Sequence, residues 1–593
     1  MNKEYSNSMV TSSSSVLQSE KKDVDVEHKE DASSSDQVPV ANVLLDSYLG
    51  DADGAADADA TEKNMTLLEG LRKYPKAVGW SLVFSAGLIM EGYDTAFVNN
   101  LFALPIFQTT FGEYSEANAA WEIPSRWQIG LGMCVYCGEI IGLQLTGFLA
   151  NRYGNRTVLI GGLLLLIALN FILYFANSLA MIAVGQILCG IPWGSFQTLC
   201  VTYASEVCPL VLRYYLTTYI NFCWLIGQLI AAGVLKACQE HLANEQLGWR
   251  LPFALQWMWP VPLITGIYLA PESPWWLVRK GRMEEARQSV TRILSLPAAE
   301  KDILSDMMIT KMKMTVEKES RMASSESSYM DCFKGIDARR TRIACLTWVA
   351  QNLTGSTLMG YSTYFYEKAG LNTSSAFTFS VIQYVIGIAG TFMSWFLTTR
   401  AGRFRILFWG IVSQMIIMLI TGGLGFSDSK GASWGAGSML LIYNFFYNST
   451  LGPVVYCVVS EIPSDRLRTN TIVLARNAYN LTVIATAVLT PYMLNSDQWN
   501  WGAKTGLFWG GFAALSMVWA YIDLPETKGR TFAELDELFH QKIPARKFAS
   551  THVEPFARET MMKDMSGNQD FNLEPIEEEN FELRKQSESQ LSC

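Results

Sequence analysis

Histidine is almost absent from this chain. The 593 residues include only four, and all of them fall outside the long apolar runs: His28, His241, His540 and His552. Zinc-hydrolase sites and histidine proton relays within an apolar run are therefore excluded. No nucleophile–base pair or metal-ligand spacing appears elsewhere either. We therefore predict that the chain is not an enzyme and holds neither a metal nor a cofactor.

Charged residues are scarce in this chain, and they are segregated. Half of the residues are hydrophobic and 17% are charged, a mixture too apolar for a large soluble enzyme. Between the polar segments lie twelve apolar runs of about 18–25 residues, the length that crosses a bilayer core of about 30 Å. We number them spans 1 to 12: 80–103, 127–150, 158–176, 180–204, 215–237, 251–270, 343–366, 376–398, 406–424, 435–459, 472–494 and 505–523.

Lysine and arginine concentrate at one end of the spans. The first loop of the opposite end, 104–125, contains neither residue. The positive-inside rule therefore predicts that both tails and the central insert are cytoplasmic. The predicted organisation is a disordered N-tail (1–75), a six-helix half (76–270), a cytoplasmic loop with short helices (271–342), a second six-helix half (343–523) and a C-tail (524–593).

Three motifs recur about 250 residues apart, which indicates an internal repeat of six spans. The repeated elements are 151–156 with 399–405, Glu206/Arg213 with Glu461/Arg468, and 271–273 with 525–527. Arginines at one helix end can pair with glutamates or carbonyls at another, forming a latch that closes this end in one state. Topology marking by positive charge alone is the alternative. The predicted latch comprises Arg152, Arg156, Glu206, Arg213, Glu272, Arg400, Arg403, Glu461, Arg468 and Glu526.

Four clear charges lie inside the spans: Glu91, Asp94, Glu139 and Arg476. A charge at mid-bilayer costs about 2.5–3.5 kcal/mol on insertion scales, so each needs a function. Glu91 and Asp94 are three residues apart on one helix face, where double ionisation is disfavoured. We predict that these acids with Glu139 form a proton site, and that Arg476 is the counter-charge of the Glu91–Asp94 pair. A structural hydrogen bond for Glu139 and snorkelling for Arg476 are the alternatives.

The motifs together resemble the sugar porter branch of the major facilitator superfamily. They are Gly92-Tyr-Asp94, Arg152-x-Gly-x-Arg156, Glu206 to Arg213, Pro271-Glu-Ser-Pro-Trp275 and Pro525-Glu-Thr-Lys-Gly529. Glu91 to Phe97 is similar to fungal maltose and α-glucoside permeases, which are proton symporters. The resemblance implies an all-α membrane protein with the major facilitator fold, twelve transmembrane helices in two pseudo-symmetric six-helix halves. Gln186 departs from the family, which has an arginine there that partners the span-1 aspartate.

The resemblance also implies a sugar site made of amides and aromatic rings. Its residues are Gln351, Asn352, Asn221, Asn448, Tyr456, Tyr361, Tyr364 and Asn480. Thr357 and Gly390 replace larger family residues, which favours a pocket wide enough for a disaccharide. The alternative for any one amide is a hydrogen bond between helices.

We therefore expect a proton-coupled importer of maltose-like α-glucosides that works by alternating access. A symporter or facilitator for a monosaccharide or polyol, and a transporter-like sugar sensor, are the alternatives. The expected setting is the plasma membrane, with both termini cytoplasmic. The expected partners are the sugar and the lipid bilayer, with no nucleic acid and no cofactor beyond the co-transported proton. Tail lysines such as Lys21, Lys22 and Lys63 are candidate sites for the ubiquitin machinery.

Overall fold

The computed structural model describes residues 58–102, 104–115, 120–242, 245–321, 329–360, 373–427, 429–494, 499 and 501–553. Spans 1 to 6 form the helices Pro75–Ser85 with Gly87–Leu101, Ser125–Tyr153, Asn155–Tyr174, Leu179–Val207, Leu210–His241, and Leu247–Leu255 with Pro260–Leu269. Spans 7 to 12 form Gly335–Leu353 with Thr357–Gly360, Thr373–Arg400, Arg403–Leu424, Lys430–Ser449 with Leu451–Glu461, Arg468–Leu494, and Thr505–Asp523.

Shorter elements lie between and beyond the spans. The short strands Glu113–Ser115 and Ala120–Glu122 pair antiparallel between spans 1 and 2. The remaining helices are 58–64, Leu67–Lys73, Pro105–Phe111, Pro274–Arg279, Met283–Ile293, Ala298–Arg321 and Phe532–His540, with 3-10 turns at Gln256–Met258, Tyr329–Phe333, Gly502–Lys504 and Ala545–Lys547. We call the end of the helix bundle that carries segment 271–342 the insert end.

Eight helices in the described part of the chain are long and apolar enough to cross a membrane uninterrupted, those of spans 2, 3, 4, 5, 8, 9, 11 and 12. Spans 1, 6, 7 and 10 are interrupted. The break in span 7 contains Gly355, whose φ of 104° is the left-handed conformation that favours glycine. The break in span 10 falls at Thr450, because Pro453 in the next turn has no N–H with which to continue the helix.

Glycines bring helix backbones together where buried charges enter the bundle. A Cβ on Gly138 of span 2 would lie 2.0 Å from the carbonyl oxygen of Ile187 in span 4. A Cβ on Gly92 of span 1 would lie 2.2 Å from the carbonyl oxygen of Trp224 in span 5. Only glycine permits approaches this close. Glu139 and Glu91, the acidic residues next to these two glycines, therefore lie on closely packed helix backbones.

The two halves meet along the middle of the bundle. Span 2 packs on span 11, span 4 also contacts span 11, and span 5 packs on spans 8 and 10. Large apolar side chains point away from this interface, among them Phe148, Leu164 and Trp409. These outward side chains suit a lipid-facing surface, while polar side chains collect between the halves.

The predicted N-tail boundary is wrong at its C-terminal part. We predicted disorder over 1–75, but residues 58–64 and Leu67–Lys73 are helical; residues 1–57 lie outside the described part. Ion pairs fix the first of these helices, because Asp59 and Glu62 lie 2.8 and 2.6 Å from the Lys311 ammonium. Acidic residues that suggested a solvated tail thus have cationic partners in the insert.

The insert and the C-tail contain helices that the sequence analysis did not specify. The insert helix Ala298–Arg321 has 24 residues, so not all helices of this segment are short. Beyond span 12, Phe532–His540 forms a helix with a capping box between Thr531 and Glu534. Its apolar face is buried, which anchors the first part of the C-tail at the insert end. Residues 554–593 lie outside the described part.

Candidate functional site between the halves

Glu91 lies at the junction of three helices from both halves. Its side chain is buried, and its Oε1 accepts hydrogen bonds from Gln197 Nε2 at 2.5 Å and from Trp224 Nε1 at 3.2 Å. Its Oε2 has no hydrogen-bond partner among the described residues. The carboxylate is therefore held by one oxygen while the other has room to accept a proton.

Arg476 approaches the same point from span 11. Its Nη2 lies 3.9 Å from Glu91 Oε1, and its Nε donates to Gln197 Oε1 at 2.5 Å. The guanidinium also lies over the rings of Trp348 and Tyr479, at 4.6 and 4.2 Å from their centroids. Since its side chain is only 6% exposed, Arg476 does not snorkel to the rim. Aromatic faces and Gln197 stabilise the charge instead.

Glu139 completes a buried network that we call the central cluster, made of Glu91, Glu139, Gln197, Arg476 and Asn480. Glu139 Oε2 accepts a hydrogen bond from Asn480 Nδ2 at 2.9 Å, and its Oε1 has no partner among the described residues. The cluster holds two carboxylates and one guanidinium. Because one cation cannot compensate two anions, its charge balances when one carboxyl group carries a proton.

Asp94 lies apart from this cluster, which corrects the prediction that Arg476 serves the Glu91–Asp94 pair. Asp94 Oδ1 accepts a hydrogen bond from Gln256 Nε2 at 2.6 Å, and Gln186 lies beside it. Gln256 sits in the 3-10 turn that interrupts span 6. Residues three apart on a helix point about 60° apart. That angle turns the two acids toward different helices, so only Glu91 reaches Arg476.

The predicted sugar-binding amides are buried and bonded to one another or to neighbouring helices. Asn221 Nδ2 donates to Asn448 Oδ1 at 3.1 Å across the two halves. Gln351 Nε2 donates to the Gly452 carbonyl, and Asn352 Nδ2 to Thr486, both at 3.1 Å. These bonds are of the kind that sugar hydroxyls can replace, and they are also the interhelical bonds of the alternative interpretation.

The other predicted sugar contacts fall in three places. The Tyr456 ring packs edge-on against Trp348 with centroids 4.8 Å apart, so it adjoins Arg476. Asn480 binds Glu139 and therefore belongs to the central cluster instead of the amide set. Tyr361 and Tyr364 lie outside the described residues.

At the insert end, the repeated glutamates bind backbone N–H groups. Glu272 accepts from the N–H groups of Asn155 and Arg156 at the start of span 3. Glu526 accepts from the N–H of Arg403 at the start of span 9 at 2.8 Å. Both carboxylates therefore sit at helix N-termini, where the helix dipole favours negative charge. Burial raises the pKa of Glu272 to about 7, although these N–H groups oppose the shift.

A second network, the insert-end cluster, joins the two halves through Glu206, Arg279, Asp465 and Arg468. Arg279 lies 3.0 Å from Glu206 and 2.9 Å from Asp465. Arg468 lies 3.7 Å from Glu206 and 2.8 Å from Asp465. Glu206 ends span 4 of the first half, and Arg468 begins span 11 of the second. The halves are thus closed against each other at this end.

The remaining latch arginines divide into two groups. Arg403 pairs with Glu461 at 3.4 Å, and Arg156 donates to the Ala270 carbonyl at 3.2 Å. Arg213 pairs with Glu62 at 3.7 Å. Arg152 and Arg400 are exposed and lie over Tyr153 and Phe396. Neither forms an ion pair among the described residues, so the contacts seen at the insert end do not include these two predicted latch residues.

Sequence reasoning missed several residues of the two clusters and two neighbours of the buried acids. Gln197 of the central cluster, and the neighbours Trp224 and Gln256, are neutral side chains within apolar spans, and no charge pattern marks them. Arg279 lies outside the repeated motifs, and Asp465 lies inside one but is not itself repeated. Gln197 does stand in a polar stretch of span 4, Ser195-Phe-Gln-Thr198. That stretch is the one sequence signal that could have pointed to it.

Three comparisons place this geometry among known proteins. Residues 80–539 match the family described as "Sugar (and other) transporter". The general alpha-glucoside permease of Saccharomyces cerevisiae is 59% identical over 506 residues, which cover 85% of this chain and 82% of the permease. Maltose permease MAL61 of the same organism is 54% identical over 548 residues, covering 91% and 88% of the two chains.

Solved structures with the same fold include a bacterial symporter. The proton:xylose symporter XylE of E. coli, a major facilitator superfamily protein bound to 6-bromo-6-deoxy-D-glucose, matches with a TM-score of 0.68 and 22% identity. The match covers 79% of this chain and 99% of XylE. An inward open conformation of XylE matches with a TM-score of 0.58 and 21% identity, over 78% and 99% of the two chains.

Proposed function

Because this chain belongs to the sugar transporter family, we propose that it imports maltose-like α-glucosides together with protons by alternating access. The XylE likeness confirms the predicted major facilitator fold of twelve helices in two six-helix halves. The names of the yeast permeases support the sugar class. The observation that carries the proton is the central cluster, which holds two buried carboxylates but one guanidinium: Glu91 lies 3.9 Å from Arg476, and Glu139 bonds Asn480 of the same span as Arg476.

Proton loading neutralises the buried charge before the halves move. A proton from outside binds Glu91 or Glu139 at the carboxylate oxygen that has no hydrogen-bond partner among the described residues. Asp94, whose hydrogen-bond partner is the neutral side chain of Gln256, takes part as a second proton acceptor. A neutral cluster costs less to carry through a closed intermediate than a charged one.

Sugar binding uses the amides that now bond to one another. Hydroxyl pairs of the sugar replace the Asn221–Asn448 bond and the Gln351 bond to Gly452, and Tyr456 offers a ring to the apolar sugar face. Asn221 and Asn448 come from opposite halves. A sugar that binds both amides therefore favours closure of the halves around it.

The insert-end cluster closes the exit while the sugar enters. Its ion pairs hold the ends of spans 4 and 11 together. Release of sugar and proton follows when this cluster opens and the halves rock apart at the insert end.

The orientation proposed with this mechanism puts the insert end and both termini in the cytoplasm, and the protein in the plasma membrane. The excess of arginine at the insert end supports it. Lys21 and Lys22, which lie outside the described residues, are then on the same side of the membrane as the ubiquitin machinery. Lys63 is a weaker candidate site, because it lies 2.9 Å from Asp59 and 3.1 Å from Glu534.

The test is uptake in a yeast strain without its own α-glucoside transporters. Maltose, isomaltose, trehalose, sucrose, glucose and a polyol are supplied at two pH values, and the pH of an unbuffered medium is recorded. We expect maltose-type sugars to enter faster at acidic pH and to alkalinise the medium. Uptake without alkalinisation would make the protein a facilitator, and uptake of glucose or the polyol alone would refute the substrate class. No uptake of any sugar would refute transport and leave a sensor.

A further inference from the structure

We propose that Gln197 is the positioning residue that links the proton state of Glu91 to Arg476 across the two halves; this inference rests on the proposed proton symport. Gln197 lies in span 4 of the first half and Arg476 in span 11 of the second. Its side chain is 6% exposed, and both of its polar atoms bind charged groups at 2.5 Å. It is thus a neutral bridge between an anion and a cation.

The chemistry of the amide determines which end of the Gln197 side chain faces each charged group. An ionised carboxylate only accepts hydrogen bonds and a guanidinium only donates them, whereas an amide does one at each end. Gln197 Nε2 therefore has to face Glu91, and its Oε1 has to face Arg476, as observed. The bond from Gln197 to Glu91 is at full strength only while Glu91 is ionised.

Protonation of Glu91 weakens the bridge without any atom having to move first. The proton binds Oε2, and the neutral carboxyl group keeps Oε1 as an uncharged acceptor. Hydrogen bonds to charged groups are about twice as strong as neutral ones. The bond from Gln197 therefore loosens, and Arg476 loses one of its two opposite charges. The hydrogen-bonded link between spans 4 and 11 is then weaker while the halves move.

A direct ion pair would serve this purpose less well. Glu91 and Arg476 lie 3.9 Å apart, and a buried pair in closer contact is costly to separate because each charge is then left without a partner. Gln197 lies beside this contact and binds each group separately, Glu91 at Oε1 and Arg476 at Nε. Opening the bridge breaks one hydrogen bond at a time.

The test compares Gln197→Leu with the matched control Gln414→Leu in proteoliposomes. Gln414 is also a buried glutamine, but it bonds to the Tyr443 carbonyl away from the cluster. Sugar exchange at equal pH needs no net proton movement, whereas accumulation driven by a pH gradient does. For Gln197→Leu we expect exchange within twofold of wild type, accumulation reduced about tenfold and its pH dependence flattened, because a hydrogen bond to a charged group is lost. Gln414→Leu should keep both activities.

Gln197→Glu provides a rescue that a merely structural role would not give. A protonated glutamate donates to Glu91 and accepts from Arg476 as glutamine does, whereas an ionised one repels Glu91. We expect proton-driven accumulation to return only in more acidic medium. Wild-type pH dependence in Gln197→Leu, or equal loss of exchange and accumulation, would overturn the inference. A wild-type protein that moves no proton with its sugar would refute the proposed function itself, before any variant is measured.

Discussion

The two buried charge clusters of this molecule use opposite solutions to the same electrostatic problem. In the insert-end cluster, Arg279 and Arg468 contact Glu206 and Asp465 directly, at 2.8 to 3.7 Å. In the central cluster, the amides of Gln197 and Asn480 bind the carboxylates instead. Direct pairs give a firm closure. Amide-bound carboxylates can gain or lose a proton without leaving an arginine unpartnered.

Charge number also distinguishes the clusters. The insert-end cluster has two acids and two arginines, so its charges balance with every group ionised. The central cluster has two acids and one arginine, so it is balanced only with one proton bound. This difference fits the proposed roles, in which the insert end opens and closes and the central cluster exchanges a proton. The predictions below test that division of roles.

The largest effect is expected for Arg476→Leu. It leaves two buried carboxylates without a cation, a loss of about 3–5 kcal/mol, or more than 100-fold in a rate that depends on the cluster. Initial sugar uptake, normalised to protein at the cell surface, measures it. Arg400→Leu, an exposed arginine over Phe396, is the control and should stay within twofold. An equal loss of uptake in the two variants would show that uptake does not depend on the central cluster.

Arg279→Leu should act on closure at the insert end. It removes one of the two arginines that contact both Glu206 and Asp465, and should favour the open state by about 2 kcal/mol, roughly 30-fold in population. Peptide-resolved maleimide labelling of Cys208, which is buried at this end, should rise accordingly. Arg282→Leu, three residues away and in a surface ion pair with Glu285, should leave labelling unchanged. Unchanged labelling in Arg279→Leu as well would mean that these ion pairs do not close the exit.

Asp94→Asn should abolish the stimulation of uptake by acidic medium. In the unmodified protein we expect uptake to be about tenfold faster at pH 5 than at pH 7. Asparagine keeps the size of the side chain and can still bond Gln256, but it binds no proton. The readout is the ratio of uptake rates at the two pH values. Thr95→Ser, the adjacent residue whose hydroxyl bonds its own helix, is the control. Undiminished acid stimulation would remove Asp94 from the proton pathway.

The smallest effect is expected where the N-terminal helix meets the insert. Burial tends to raise the pKa of Glu62, but Lys311 and Arg213 outweigh it and hold the pKa below the ordinary 4.5. A lowered carboxyl pKa stabilises the fold above 4.5, and this stability disappears as pH falls through the lowered value. Glu62→Gln should therefore lower the free energy of unfolding by about 1 kcal/mol at pH 7, and by less below pH 4. Thermal unfolding of purified protein measures this, with the exposed Glu69→Gln as control. A constant difference across pH would contradict the ion-pair explanation.

Much of the architecture could be predicted from the sequence because spanning helices need long apolar runs. The repeat also identified most glutamates and arginines that gather at the insert end. Their partners could not be predicted. Glu272 and Glu526 bind backbone N–H groups. A sequence motif does not show which backbone groups lie next to a side chain. Arg468 pairs across the halves with Glu206, a contact that depends on how the two halves are closed.

In the central site, charges were predictable and neutral side chains were not. Glu91, Glu139 and Arg476 stood out because charges in apolar spans are costly. Gln197 costs less to bury, so its place between Glu91 and Arg476 could not be predicted. Glu91 and Asp94 have different partners because the break in span 6 brings Gln256 to Asp94. Spacing along one helix gives no information about such a neighbour.

The contact between the N-terminal helix and the insert has a consequence for how the protein responds to dissolved salt. The side chains of Lys63 and Glu62 are 31% and 22% exposed, so both are partly in contact with water. Ions screen charges there over about 8 Å at physiological ionic strength, whereas they do not reach the central cluster. A higher ionic strength at the insert end would weaken the contact between the N-terminal helix and the insert and leave the central cluster unchanged. Ionic strength thereby distinguishes this contact from the central cluster without any mutation.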